Sequence, residues 1–166
     1  KEVVAVGVGG SAVTSSHGIT IIADTEDKLI SLDEKLEGII LPGGMPGTLN
    51  LEKSETVQKA IDYCIANNLY IGAICAAPSI LGHKGILKGR NAVCFAGFES
   101  QLEGANVSDE PVVLDGNIIT SRGAGTAVDF GLKLAEVFAS AEQSKKVGEA
   151  ILWYRLSLIH ISEPTR

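Results

Sequence analysis

Cys75 is the residue whose type and surroundings best suit covalent chemistry. It stands where the apolar run 70–74 breaks into Ala76, Ala77 and Pro78, the start of a helix-like segment over 76–81. A nucleophile on such a strand-to-helix elbow is exposed at the sheet edge and faces unpaired N–H groups that favour an anion. Ala76 and Ala77 are small enough for close backbone approach, and Pro78 suits a first helical turn because its missing N–H costs nothing there. A free thiol ionises near pH ~8.5, and a helix N-terminus contributes at most ~2 kcal/mol, about 1.5 pKa units. The dipole alone leaves such a thiol half activated. A cation, or a protonated carboxyl donating to the sulfur, would have to complete the activation; an ionised carboxylate acts in the opposite direction. The competing reading of Cys75 is a small buried hydrophobe, the commoner fate of cysteine. A core residue, however, needs neither the elbow nor the proline.

The other candidates are weaker. Cys64, Cys75 and Cys94 follow neither a disulfide framework nor a CxxC metal spacing, so reduced thiols and no metal site are expected. Cys94 becomes a redox partner for Cys75 if its strand borders the same crevice; otherwise it is a buried thiol, as Cys64 is expected to be. His83 lies two helical turns beyond Cys75, ~12 Å along an axis, and His17 lies in a turn between early strands. Neither is placed for a dyad. The segments 7–10 and 123–125 are glycine-rich without completing GxGxxG, and the first precedes a strand, so no nucleotide cofactor is expected. Thr126 with Asp129 reads as a helix N-cap with an acidic first turn. Arg122 is suited either to an anionic ligand or to an interface ion pair.

These residues need a frame. Strand-like runs fall at 2–8 and 18–22, giving a β-β start, then at 36–41, 70–74, 92–95, 112–114 and 117–120, the last two joined by the turn pair Asp115-Gly116. Helical spacing runs over 54–67, with Ser54 as N-cap, and over 126–140. Strands alternating with helices predict an α/β fold, a doubly wound, mostly parallel sheet with helices on both faces. Sites in such sheets lie at the carboxyl ends of strands. Three strand ends here carry special residues: Leu41-Pro42-Gly43-Gly44, Ile74-Cys75-Ala76-Ala77 and Thr120-Ser121-Arg122-Gly123. The expectation is that they converge on one crevice.

Composition bounds the function classes. The 166 residues suit one globular domain with a sizeable core. A net charge of −6, with 14 scattered Lys and Arg, argues against nucleic acid. No apolar run approaches the ~20 residues that span a bilayer, and no secretory signal opens the chain, so a cytoplasmic protein without membrane contact is expected. From about residue 154 the pattern fails; the stretch 156–166 resembles translated adapter sequence, and His160 is discounted with it. The expected organisation is one domain over 1–153 and an artefactual tail over 154–166.

The segments LPGG at 41–44, AICAAP at 73–78 and TSRGAGTAVDF at 120–130 resemble, in order, the motifs of the ThiJ/PfpI family, the group of the Parkinson-disease-associated protein deglycase. The resemblance covers about 3–153. It implies a flavodoxin-like sandwich, a homodimer, and an oxidation-sensitive cysteine matching Cys75. It further implies oxyanion N–H groups at Gly43, Gly44 and Ala76, and a pocket flanked by Arg122, Gly123, Ala124 and Phe95. The implied activity is glyoxalase- or deglycase-like action on methylglyoxal-type carbonyls or glycated proteins, tied to oxidative-stress protection and needing no cofactor. Three departures stand out. The family's N-terminal strand and helix carry a Glu that donates to the cysteine sulfur, and this sequence begins after them; a fragment with its first strand and helix missing, and impaired, is expected. Phe95 occupies the position of a family His, and Ala76 the position of the His that follows the cysteine in the peptidase-like branch. The alternative function is a redox-sensing chaperone or binding module in which Cys75 is oxidised without turnover.

Overall fold

The computed structural model describes residues 1–153; the expected tail over 154–166, His160 included, lies outside the described residues. In chain order the elements are β1 (Val6–Gly7), β2 (Ala12–Thr14), β3 (Thr20–Ile22), β4 (Thr25–Glu26), β5 (Gly38–Leu41), α1 (Gly47–Lys53), α2 (Glu55–Ala66), β6 (Tyr70–Ile74), α3 (Pro78–His83), β7 (Asn91–Ala92), β8 (Asn106–Val107), β9 (Val112–Asp115), β10 (Ile118–Ser121), α4 (Ala127–Phe138) and α5 (Ala141–Ala150). The largest sheet runs β5-β6-β10-β9. Its first three strands are parallel and β9 is antiparallel to β10. This is the expected α/β architecture with a mostly parallel sheet.

Alternation along the strands sends each face to different helices. Ile71 and Ala73 of β6 join Ile61 and Cys64 of α2 and Ile80 and Leu81 of α3 in one buried core. Gly72, between them, points the other way: a Cβ there would sit 3.1 Å from the Phe130 ring and 3.3 Å from Leu134, both on α4. Glycine thus lets α4 lie close against the centre of the sheet. Helices cover both faces, and among the described residues none is long and apolar enough to cross a membrane.

The strand 70–74 and the Asp115-Gly116 turn fall where the sequence predicts them, and Ser54 caps α2 by accepting the Val57 N–H at 3.3 Å. Several boundaries are corrected. The run 2–8 yields only β1, because its partner β4 offers just Thr25 and Glu26 to pair with. The run 18–22 narrows to β3, which forms a hairpin with β2, a strand the sequence reading took as part of a turn. The run 36–41 begins its ladder at Gly38. The run 92–95 ends as a strand at Ala92, since β8 pairs only Asn91 and Ala92. The helix at 76–81 starts at Pro78, with Pro at its first turn as expected, and extends to His83. The helix expected over 126–140 is α4, and a second helix, α5, which the sequence does not predict, follows it at Ala141–Ala150. Ser140 caps the second, accepting the Gln143 N–H at 3.1 Å, and Ser144 Oγ ties it to the Leu132 carbonyl at 2.7 Å. Helix α1 was not anticipated, because Pro46 and Gly47 mask so short a segment; buried Thr48 anchors it by donating to the Gly44 carbonyl at 3.1 Å.

Candidate active site

Parallel pairing puts the carboxyl ends of β5, β6 and β10 side by side, since Leu41 pairs with Ala73 and Ser121 with Ile74. The three motif-bearing strand ends therefore share one edge. At its centre Cys75 adopts φ 66°, the left-handed region that side chains with a Cβ enter at a cost of about 1–2 kcal/mol. The strand-to-helix elbow at Cys75 is thus a backbone outlier. Cys75 is half-buried.

Close packing around the elbow explains two glycines. A Cβ at Gly43 would lie 2.5 Å from the Cys75 Cβ, 2.5 Å from the Ile74 carbonyl oxygen and 3.0 Å from the Ala76 nitrogen, so only glycine brings the β5 loop this near. A Cβ at Gly123 would lie 3.3 Å from the Phe95 ring and 4.0 Å from Cys75 Sγ. Gly43 and Gly123 therefore pack against the elbow, with the Phe95 ring beside Gly123. Gly44 follows with φ 91°. Among the described residues no backbone acceptor is paired with the Gly44 or Ala76 N–H, and Ala76 is 2% exposed. Ala124 is exposed, one residue beyond the buried Gly123.

The backbone of Cys75 is held at both ends. Its N–H donates to the Ser121 carbonyl at 2.9 Å, and its carbonyl accepts the Phe95 N–H at 2.8 Å. The latter bond explains why 93–95 leaves its expected ladder: it binds the elbow instead of β8. Thr126 holds the N-cap position of α4 with Asp129 in the first turn, as expected, but its side chain makes no capping bond to that helix. Its hydroxyl lies 2.7 Å from Ser121 Oγ and accepts the Gly123 N–H at 3.1 Å.

Arg122 pairs with Asp109, 3.2 Å from Oδ1 and 3.3 Å from the backbone carbonyl. Both line a cavity of about 260 Å³ with Cys94, Glu99, Val107 and Ser108. Cys75 does not line it. Burial pushes the Cys94 thiol up to about 11, the nearby Glu99 carboxylate and Cys75 adding to the effect and Arg122 opposing it. Cys94 is therefore protonated at neutral pH, a poor nucleophile close to the elbow. Cys64 is raised to about 11 by burial alone and sits in the core, as expected. His83 pairs with Glu52 at 2.6 Å, on the α1 side of α3 and away from the site. Sequence reasoning passed over Ser121 as a side chain, Thr120, Glu99 and Asp109. Two consecutive hydroxyls at the end of an otherwise apolar strand were the available signal for the first two.

Comparison with known proteins places this geometry in context. The sequence profile of the DJ-1/PfpI family matches residues 1–137. Protein dj-1beta of Drosophila melanogaster is 36% identical over 146 residues, 87% of this chain and 78% of that protein. Glutathione-independent glyoxalase DJR-1.2 of Caenorhabditis elegans is 29% identical over 147 residues, 88% of this chain and 78% of that protein. The crystal structure of a DJ-1 superfamily protein from Salmonella typhimurium superposes with a TM-score of 0.82 at 30% identity, covering 91% of this chain and 82% of that one.

Proposed function

The chain belongs to the DJ-1/PfpI family, and from that premise we propose that it is a cysteine-dependent enzyme acting on small methylglyoxal-type carbonyls without glutathione. The observation that carries the reading is the thiol of Cys75, held at φ 66° where three parallel strand ends meet. Relatives named as glutathione-independent glyoxalases supply the substrate class.

In this reading the Cys75 thiolate adds to the aldehyde carbon, forming a carbon–sulfur bond and a hemithioacetal oxyanion. The N–H groups of Gly43, Gly44 and Ala76 face that oxygen. Moving the proton from the former aldehyde carbon to its neighbour oxidises the first and reduces the second, giving a thioester. Water then releases the 2-hydroxy acid and the free thiol, so no external oxidant is consumed. Phe95 and the loop Arg122, Gly123 and Ala124 wall the pocket. Glycated protein side chains are a second substrate class of the same chemistry. A homodimer, a cytoplasmic location and a domain spanning 1–153 complete the proposal.

The test is methylglyoxal consumption in glutathione-free buffer, followed with lactate formation. We expect one lactate per methylglyoxal for the protein as it stands and none for Cys75→Ser. Oxidation of Cys75 by peroxide with no carbonyl turnover would replace the enzyme by a redox sensor.

A further inference from the structure

Building on that reading, we propose that Thr120 and Ser121 form a two-sided clamp that positions Cys75. They are consecutive on β10, so their side chains leave opposite faces of the sheet, and they are 1% and 0% exposed. A strand accepts valine or alanine at such sites, whereas a buried hydroxyl is unfavourable unless hydrogen-bonded. Both hydroxyls are bonded, and on each face one of these contacts leads toward the elbow.

On one face Thr120 Oγ1 accepts the Val93 N–H at 3.0 Å in a fully buried bond. This fixes the chain just after β7. Two residues later the Phe95 N–H reaches the Cys75 carbonyl at 2.8 Å. On the other face Ser121 Oγ donates to the Pro111 carbonyl at 2.9 Å and lies 2.7 Å from Thr126 Oγ1. Thr126 in turn accepts the Gly123 N–H at 3.1 Å, and Gly123 backs onto both the Phe95 ring and Cys75 Sγ. The Ser121 carbonyl also accepts the Cys75 N–H at 2.9 Å. A left-handed residue with a Cβ persists only where its surroundings over-determine it. Here the two loops beside the thiol are each tethered to one of two adjacent side chains, which makes Thr120 and Ser121 positioning residues rather than catalytic ones.

The test is amide hydrogen exchange by NMR on the full 166-residue chain, with Thr120→Val, Ser121→Ala and the conservative Thr120→Ser. Loss of one buried hydrogen bond should speed exchange about tenfold at Val93 and Phe95 in Thr120→Val, and at Gly123 in Ser121→Ala. Ile71 and Ala73 amides should match the parent protein, and Thr120→Ser should restore protection. Iodoacetamide labelling of Cys75, referenced to buried Cys64 by peptide mass, should rise about threefold as the flanking loops open. Methylglyoxal turnover should fall about tenfold in kcat with KM within about twofold. Faster exchange at Val93 alone, with Phe95 and Cys75 unchanged, would overturn the clamp. A uniform rise that includes Ile71 would overturn it too, by reducing Thr120 to a general stabiliser. Should Thr120→Val not fold, Thr126→Val carries the same test at Gly123 and Cys75. Absence of turnover in the parent protein defeats the proposed enzyme, while the exchange pattern still decides the clamp.

Discussion

Isoleucine has opposite fates in the two halves of this molecule. In the N-terminal stretch over 1–37, Ile19, Ile21 and Ile22 are 67%, 63% and 71% exposed, and no hydrophobic side chain before Leu41 belongs to the buried core. In the sheet, Ile71 and Ile119 are fully buried, as are Ile61 and Ile80 on the helices packed against it. The residue type is the same and both regions form strands. What differs is coverage. The sheet has α2 and α3 on one face and α4 on the other, whereas the β2–β3 hairpin has three pairs of residues and solvent over its isoleucines. A lone two-stranded hairpin is marginal in water, so strand propensity forms the ladder and only a second layer makes it a core.

That contrast can be broken by substitution. Removing a fully buried side chain costs both transfer energy and a cavity, so Ile71→Ala should lose about 4 kcal/mol in urea unfolding. A result under about 1 kcal/mol would mean that the sheet is no better packed than the hairpin. Gly43→Ala forces a Cβ against Cys75 and the Ile74 carbonyl, and should cost about 3 kcal/mol together with methylglyoxal turnover. Unchanged stability and activity would show that the β5 loop is free to shift away from the elbow.

The buried thiols sharpen the same contrast through pH. Burial raises Cys64 from the ordinary thiol range near 9 to about 11. Below about pH 9 the folded and unfolded chains both keep that proton. Between about 9 and 11 the unfolded chain releases it while the folded one holds it, so the unfolded state binds fewer protons and stability falls as pH rises, on the order of 2 kcal/mol. The measurement is the difference in alkaline stability loss between the parent and Cys64→Ala; parallel curves would mean that the thiol is not sealed from water. The smallest effect is expected at the hairpin, where Ile21→Ala should stay within about 0.5 kcal/mol. A loss near that of Ile71→Ala would reveal a covering layer over the hairpin.

Part of the site was legible because it is local. Five apolar residues, one cysteine, two alanines and a proline encode β6, the elbow and the first turn of α3 between neighbours in sequence. The glycines at 43 and 123 were legible as motif residues, although their reason, contact with Cys75 and Phe95, is long-range. The hydroxyls of Thr120, Ser121 and Thr126 were not legible as a device. Val93 and Pro111 become partners of Thr120 and Ser121 only once β10 lies between β6 and β9, whereas Gly123 is three residues from Thr126. The departure of Phe95 from its strand is of the same kind, a choice between two acceptors that the fold alone brings within reach.

The sequence by itself determined the elements with strong periodicity and punctuation, the α/β class, and the strand-to-helix position of Cys75. Tertiary structure decided which strands became a sheet and which a bare hairpin, and what holds Cys75 at φ 66°. The physical reason is range. Backbone propensity and hydrophobic period are written over a few adjacent residues, while burial and hydrogen-bond pairing depend on surfaces that chain distance does not specify.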